Sequence, residues 1–213
     1  MHQETNPAIL YFGTPVVLIS TTNPDGSYNL APMSSAWWLG WRCLLGLAVA
    51  SRTTQNLLRT GECVLNLPSD GQVAAVNRIA RTTGSDPVPD GKRVRGYTHL
   101  REKFETAGLT PVPSVTVAPP RALECPVQME ARLETTLPLA AGDPGWEGRS
   151  MALAVHVQRV HARDDLLAEG DPDRIDPDRW HPLIMMFQQF YGLRPGRLHE
   201  SELAKIPEAQ YRP

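Results

Sequence analysis

Residues 51–54, Ser-Arg-Thr-Thr, gather three hydroxyls and a guanidinium where the apolar run Leu44–Ala50 hands over to a short helical pattern closed by Gly61. Amides at a helix start lack intrahelical partners, and the helix dipole makes them attractive to anions. Ser51, Thr53 and Thr54 add hydroxyl donors, and Arg52 adds a charged fork suited to phosphate. Together they form a plausible phosphate cup. A plainer reading is that Thr53 or Thr54 only N-caps the helix while Arg52 is solvated. A second polar group, Asn29 with Ser34 and Ser35, interrupts an apolar segment around Pro32. Amides and hydroxyls at such an irregularity suit the edge of a flat heteroaromatic ligand; a bulge with internally bonded serines suits them equally.

Other chemistry finds little support. No triad or acid–base pair stands out. His156 and His161 are five residues apart, which on one regular strand places them on opposite faces, a poor metal pair. His99 and His199 fall in polar segments. His181 precedes the apolar patch at 183–193 and reads as a surface or structural histidine with a secondary role near a ligand. Trp37, Trp38, Phe187 and Tyr191 suit stacking on a ligand or plain packing. Arg81, Lys92, Arg93 and Arg95 surround a Gly- and Pro-rich loop at 82–97, either as a solvated face or as a lure for dinucleotide phosphates.

The 213 residues carry a net charge of -2 from 21 basic and 23 acidic side chains, without a run of one sign, so nucleic acid is not an expected partner. No apolar run approaches the ~20 residues that span a bilayer. The first residues lack the pattern of a signal peptide, and the chain reads as soluble and cytoplasmic. Cys43, Cys63 and Cys125, widely spaced, read as buried thiols rather than a disulfide framework.

The elements that must position these residues are mostly strands. Residues 15–21 and 27–38 flank an Asn-Pro-Asp-Gly turn and predict a hairpin, with Pro32 marking an edge or bulge. Strands follow at 44–50 and 62–67, with a helix at 54–60 between them. Gly46, Ala48 and Ala50 make one face of the first of these small, open to close approach by backbone or a flat ligand. Helices are expected at 70–81 and from Thr98 as N-cap through Ala107; strands at 114–118, 127–134 and around 153–157, the last two flanking a loop at 142–148. The order is not alternating βαβ and has no G-x-G-x-x-G after a strand, which disfavours a dinucleotide fold. A mainly β, closed antiparallel barrel with peripheral helices fits better. The tail beyond about 164 is polar and proline-rich, and its apolar patch needs cover from the barrel or a second subunit.

In order along the chain, PVVLIST, DGSYNLAPMSSAWW, the apolar strand and SRTTQNLLRTGECVLNLPS resemble the flavin reductase-like family with the FMN-binding split-barrel fold. AGLTPVPSVTVAPPRALECPVQMEARL and the later HVQRVHARDDLL resemble its second half, so the likeness runs over roughly residues 8–195. The resemblance implies an antiparallel Greek-key split β-barrel, a homodimer of six-stranded barrels, and FMN, with FAD as the other option, near the subunit interface. It implies NADH or NADPH as co-substrate, with hydride passing from nicotinamide to flavin and a monooxygenase as one receiver of the reduced flavin. Carried over by position, Asn29, Ala31, Pro32, Met33, Ser34 and Ser35 line the isoalloxazine and ribityl groups, and Ser51, Arg52, Thr53 and Thr54 with Asn56 hold the phosphate. Trp37, Trp38, His181 and Tyr191 shape a substrate pocket. The split-barrel domain is expected over 1–163, with 164–213 an extension packed on the barrel or the partner. The long extension and the bulky SSAWWLGW cluster depart from a minimal member. They leave room for a flavin enzyme acting directly on an organic substrate, or for a non-enzymatic binder of flavin or haem.

Overall fold

In a computed structural model that describes residues 1–194 and 196–211, sixteen strands and four α-helices follow the chain. Strands β1 (Phe12–Pro15), β2 (Val17–Thr22), β3 (Tyr28–Met33), β4 (Ala36–Leu39) and β5 (Arg42–Ala48) precede helix α1 (Arg52–Thr60) and β6 (Glu62–Leu67). Then come α2 (Val73–Ile79), β7 (Thr82–Thr83), α3 (Asp90–Val94), β8 (Thr98–His99), α4 (Lys103–Ala107), β9 (Pro111–Val112) and β10 (Arg121–Ala122). The long strands β11 (Val127–Pro138) and β12 (Ser150–Ala162) form a hairpin, followed by β13 (Leu167–Ala168), β14 (Asp171–Ile175), β15 (Ile184–Met186) and β16 (Gln189–Tyr191).

Seven strands build one antiparallel sheet in the order β3-β2-β6-β11-β12-β5-β4. At ~4.8 Å per strand, a flat sheet would set its two edges roughly 29 Å apart. Only Ser34 and Ser35 separate β3 from β4, and three Cα steps reach no further than about 11 Å. The sheet must therefore curl until its edges meet. It closes as a barrel whose seam is not laced by a β3–β4 ladder, which is the split. The segment 27–38, expected as one strand, breaks at these two serines, and that break makes seven strands rather than six. Pro32 lies on edge strand β3, where its missing N–H costs no ladder bond.

Strand β2 is buried without alternation from Val17 to Thr21 because both its faces are covered. Val17 and Ile19 join Leu45, Leu47, Leu65, Ala131, Leu153 and Val155 in a core inside the curl. Val16 and Leu18 join Leu30, Val76, Ile79, Phe104 and Leu183 in a second core under α2 and α4. The tail returns over the N-terminus: β15 pairs with β1, the Val16 amide donates to the Leu183 carbonyl at 2.8 Å, and Trp180 packs against the first core.

The close approach expected at Gly46 is made by backbone. Its amide donates to the Ser35 carbonyl at 2.8 Å, and a Cβ added there would stand 3.2 Å from the Ser35 Cβ. Gly46→Ala is expected to cost about 1 kcal/mol or more by overpacking the seam, read as a lower urea midpoint with an unchanged slope. An unchanged midpoint would show the link to be slack.

Several elements differ from expectation. Helix 70–81 is a 3₁₀ turn at Asp70–Gln72 followed by α2, and the loop 82–97 contains α3. The helix expected from Thr98 begins only at Lys103, because Thr98 and His99 pair in parallel with Thr82 and Thr83. Segment 114–118 is not a strand. The amides of Val115 and Thr116 donate to the Glu130 carboxylate instead of to a neighbouring strand. Strand β12 carries a bulge, since Ala131 faces Val157 while Glu130 faces Arg159, leaving Gln158 extra. The extra residue reverses parity, so His156 and His161 line the same groove rather than opposite faces. Among the described residues, no helix is long and apolar enough to cross a membrane.

Candidate functional site

The start of α1 is set by Ser51, not by Thr53 or Thr54. The Ser51 Oγ accepts the Thr54 amide at 3.1 Å. The Thr54 hydroxyl donates to the Ala48 carbonyl at 2.8 Å and lies 2.8 Å from the Ser51 Oγ, whose proton it accepts. These two hydroxyls therefore fix the strand-to-helix corner and have no proton left to offer a ligand. The first helical amides, of Arg52 and Thr53, have no acceptor within the helix.

Thr53 is tied to the second polar group. Asn29 Nδ2 donates to the Thr53 Oγ1 at 3.1 Å and reaches the Thr21 Oγ1 at 3.4 Å. Asn56 Nδ2 donates to the same Thr21 oxygen at 3.0 Å and to the Asn23 Oδ1 at 2.8 Å. The fold thus joins Asn29 of β3 with Thr53 and Asn56 of α1 in a buried polar nest. Both asparagines have an Oδ1 buried without a partner, and buried polar groups left this way are rare unless something else supplies the bond.

Gly84 completes the corner. The Arg52 Nε donates to the Gly84 carbonyl at 3.1 Å. A Cβ on Gly84 would stand 2.5 Å from the Asn29 Oδ1 and 3.1 Å from the Arg52 Cγ. The bare glycine keeps a cradle over an unpartnered acceptor, beside free helix-start amides. Behind it, the Thr83 Oγ1 accepts from the Ser85 amide at 3.3 Å and from the Lys92 ammonium at 3.2 Å. A cavity of about 300 Å³ opens at this corner, with Asn29, Arg52 and Gly84 in its wall.

Other expected site residues sit apart from the cavity. Ala31, Pro32 and Met33 continue β3, and Ser34 and Ser35 form the seam link, all half-buried. The Ser35 hydroxyl is 3.0 Å from that of Tyr11. Trp38 packs against the inner core with its indole nitrogen unpartnered, whereas Trp37, next along β4, is 53% exposed. His181 lies exposed on the returning tail, where its carbonyl accepts the Asp70 amide. Tyr191 is exposed on β16. Neither lines the cavity.

Sequence reasoning missed Lys103. It is 2% exposed, and its ammonium has no hydrogen-bond or ion-pair partner among the described residues. Burial, together with the nearby charge of Lys92, brings its amine down to about 7. The signal was the position of a lysine four residues before Ala107, on the buried stripe of a short helix. Sequence reasoning also missed Glu130, which is fully buried. It accepts from the amides of Val115 and Thr116, from the Thr116 hydroxyl, and from the His161 Nε2 at 2.7 Å. The three cysteines are free and buried, and burial pushes the Cys43 and Cys125 thiols up to about 12.

A family model described as a flavin reductase like domain matches residues 9–194. The YdfE protein of Bacillus subtilis (strain 168) is 37% identical over 202 residues, covering 94% of each chain. Among solved structures, flavoredoxin of Desulfovibrio vulgaris (Miyazaki F) superposes with a TM-score of 0.76 at 18% identity, over 96% of this chain and 99% of its own. Nitrilotriacetate monooxygenase component B from Bacillus cereus gives a TM-score of 0.69 at 22% identity, over 91% and 89%.

Proposed function

Because this chain belongs to the flavin reductase-like family, we propose that it binds FMN at the Asn29–Arg52–Gly84 corner, with FAD as the other form, and passes hydride to the flavin from NADH or NADPH. One observation carries the reading: a buried, unpartnered Asn29 Oδ1 under a glycine cradle, beside free helix-start amides. A ribityl phosphate offers both complements, hydroxyl protons for the amide oxygen and an anion for the amides and Arg52.

A bound flavin supplies the hydride acceptor, and the protein supplies orientation and electrostatics. Arg52, braced by the Gly84 carbonyl, would hold the phosphate together with the Arg52 and Thr53 amides. Thr53, fixed by Asn29, would add its hydroxyl. Ser51, Thr54 and Asn56 act one step back, keeping the corner in shape. Ala31, Pro32, Met33, Ser34 and Ser35 would run beside the ring system, with Trp37, Trp38, His181 and Tyr191 toward the substrate side. The half-buried Lys92, donating to the Thr83 hydroxyl, biases the region toward anions. We read residues 164–213 as an extension packed on the 1–163 barrel, and the chain as a cytoplasmic homodimer in which a second copy covers the exposed Phe12, Trp37 and Leu39. The likeness to a monooxygenase component B supports a separate monooxygenase as receiver of the reduced flavin.

The test is a flavin titration followed by visible absorption, then NADH and NADPH oxidation with excess FMN. Saturable FMN binding and nicotinamide oxidation are expected. Arg52→Met should weaken FMN about tenfold or more, the worth of one charge-assisted hydrogen bond, while riboflavin, which lacks the phosphate, is unaffected. No binding of either flavin would overturn the reading, and equal weakening of FMN and riboflavin would remove Arg52 from the phosphate.

A further inference from the structure

Two backbone irregularities, one on each of two paired strands, converge on a pair of exposed rings. Strands β15 and β16 pair Met186 with Gln189, so Phe187 and Gln188 alone make the turn between them. Both have positive φ, 46° and 66°. A two-residue turn of this kind takes Asn-Gly or Gly-Gly, because a side chain is disfavoured in the left-handed region. A phenylalanine in that place is strained. Across the ladder, the register of β1 shifts between Phe12 and Thr14, where Gly13 takes a φ of 114°. A bulge of this sort re-aims the neighbouring side chain.

The outcome is a ring pair. Phe12 and Phe187 meet edge to face, with centroids 4.9 Å apart and planes at 82°. The Phe187 amide donates to the Tyr11 carbonyl at 3.0 Å. Burial does not offset the strain, since Phe187 stays 41% exposed and Phe12 70% exposed. Strain held at an exposed ring points to a contact which that ring makes. The surroundings say with what. The hydroxyl of Tyr11, next to Phe12 in the chain, stands 3.0 Å from that of Ser35 and ties this edge to the barrel seam. Strand β1 lies beside β4, which carries the exposed Trp37. The seam is the strip read above as running beside the flavin ring. Apolar aromatic faces carry negative charge density, so they favour a flat, electron-poor ring.

We propose that Phe187, with Phe12 as its buttress, stacks the flat ring that exchanges hydride with the flavin at the seam and thereby selects for it. This rests on the flavin reading given above. Two molecules present such a ring: the nicotinamide that gives hydride, and an aromatic acceptor that takes it. A second copy over Phe12 would fix the buttress from outside.

The test uses the full-length protein loaded with FMN. Gln188→Gly relieves strain and keeps the ring; Phe187→Asn combined with Gln188→Gly makes the favoured turn and removes the ring. Gln188→Gly should raise the thermal midpoint by about 2–4 °C and leave the KM values as they are. The double variant should hold that gain, bind FMN as the wild type does, and raise the KM for the stacked molecule about three- to tenfold, the worth of one aromatic contact. If nicotinamide is the source, the KM for NADH rises with excess FMN as acceptor. If an aromatic acceptor is the source, the KM for menadione rises while that for NADH holds. In either arm kcat changes less than KM. A double variant less stable than the wild type, with both KM values unchanged, would show the pair to be hairpin packing. Unchanged KM values overturn the proposal at any midpoint. A wild type that binds no flavin removes the flavin reading and this proposal with it, whereas flavin binding with unchanged KM values removes only this proposal.

Discussion

Glu130→Gln is expected to lose about 3–5 kcal/mol of folding stability, the cost of breaking a buried charged network from one side. The carboxylate has no exposed surface and takes four hydrogen bonds, from Val115, Thr116 and His161. Glutamine keeps the shape but turns one acceptor oxygen into an NH₂, which then faces amide donors. Burial alone would raise the Glu130 pKa, but the bonds from Thr116, Val115 and His161 outweigh it and bring the group to about 2. A lowered folded-state value stabilises the protein above the ordinary carboxylate pKa, and that stabilisation fades as pH falls from about 4.5 toward 2. Urea unfolding at pH 7 and at pH 3 checks both parts. The gap between wild type and Glu130→Gln should narrow at the lower pH. A gap below about 1 kcal/mol at pH 7, or one that widens in acid, would show that this carboxylate is not the staple of the 113–120 loop.

Gly84→Ala is expected to weaken flavin binding about tenfold or more while the fold survives. The added methyl would stand 2.5 Å from the Asn29 Oδ1 and 3.1 and 3.3 Å from the Arg52 stem, and overpacking of this kind costs about 1–3 kcal/mol. Asn29 is held by Thr21 and Thr53 and cannot turn aside without releasing the Thr53 hydroxyl. The strain therefore falls on the groups that face the ligand. FMN and riboflavin should both weaken, unlike the Arg52→Met case, because the cradle and not only the phosphate is altered. Unchanged affinity for both would place the flavin elsewhere on the barrel.

The strands and the α1 corner were legible because local chemistry dictates them. An apolar run, a turn of Asn23-Pro24-Asp25-Gly26 and a Ser-Arg-Thr-Thr corner each constrain a few residues. What escaped depends on residues far apart. Val115-Thr116-Val117 alternates like a strand, and only Glu130, more than a dozen residues on, takes its amides away from a ladder. The parity of His156 and His161 turned on one extra residue in β12, visible only against its partner strand. The nest tying Asn29 to Thr53 spans 24 residues, so the two polar groups could be suspected as one site but not joined. Which hydroxyls at the corner are free was equally hidden: Ser51 and Thr54 bond each other, and Thr53 does not join them.

The sheet order has a consequence for synthesis. Strands β5 and β6 are separated in sequence only by α1, yet in the sheet the β11–β12 hairpin stands between them. A chain emerging from the ribosome makes β5 and β6 early and must leave a sheet edge of each open until residue 162 has appeared. During that interval two apolar edges face water, the condition under which strands recruit the wrong neighbour. The hairpin is local in sequence, and its arrival as a wedge closes both edges in one step. A truncation ending before β12 would not be a smaller barrel but an open one, with one strand of its wedge missing and the β5 edge left for another chain to fill.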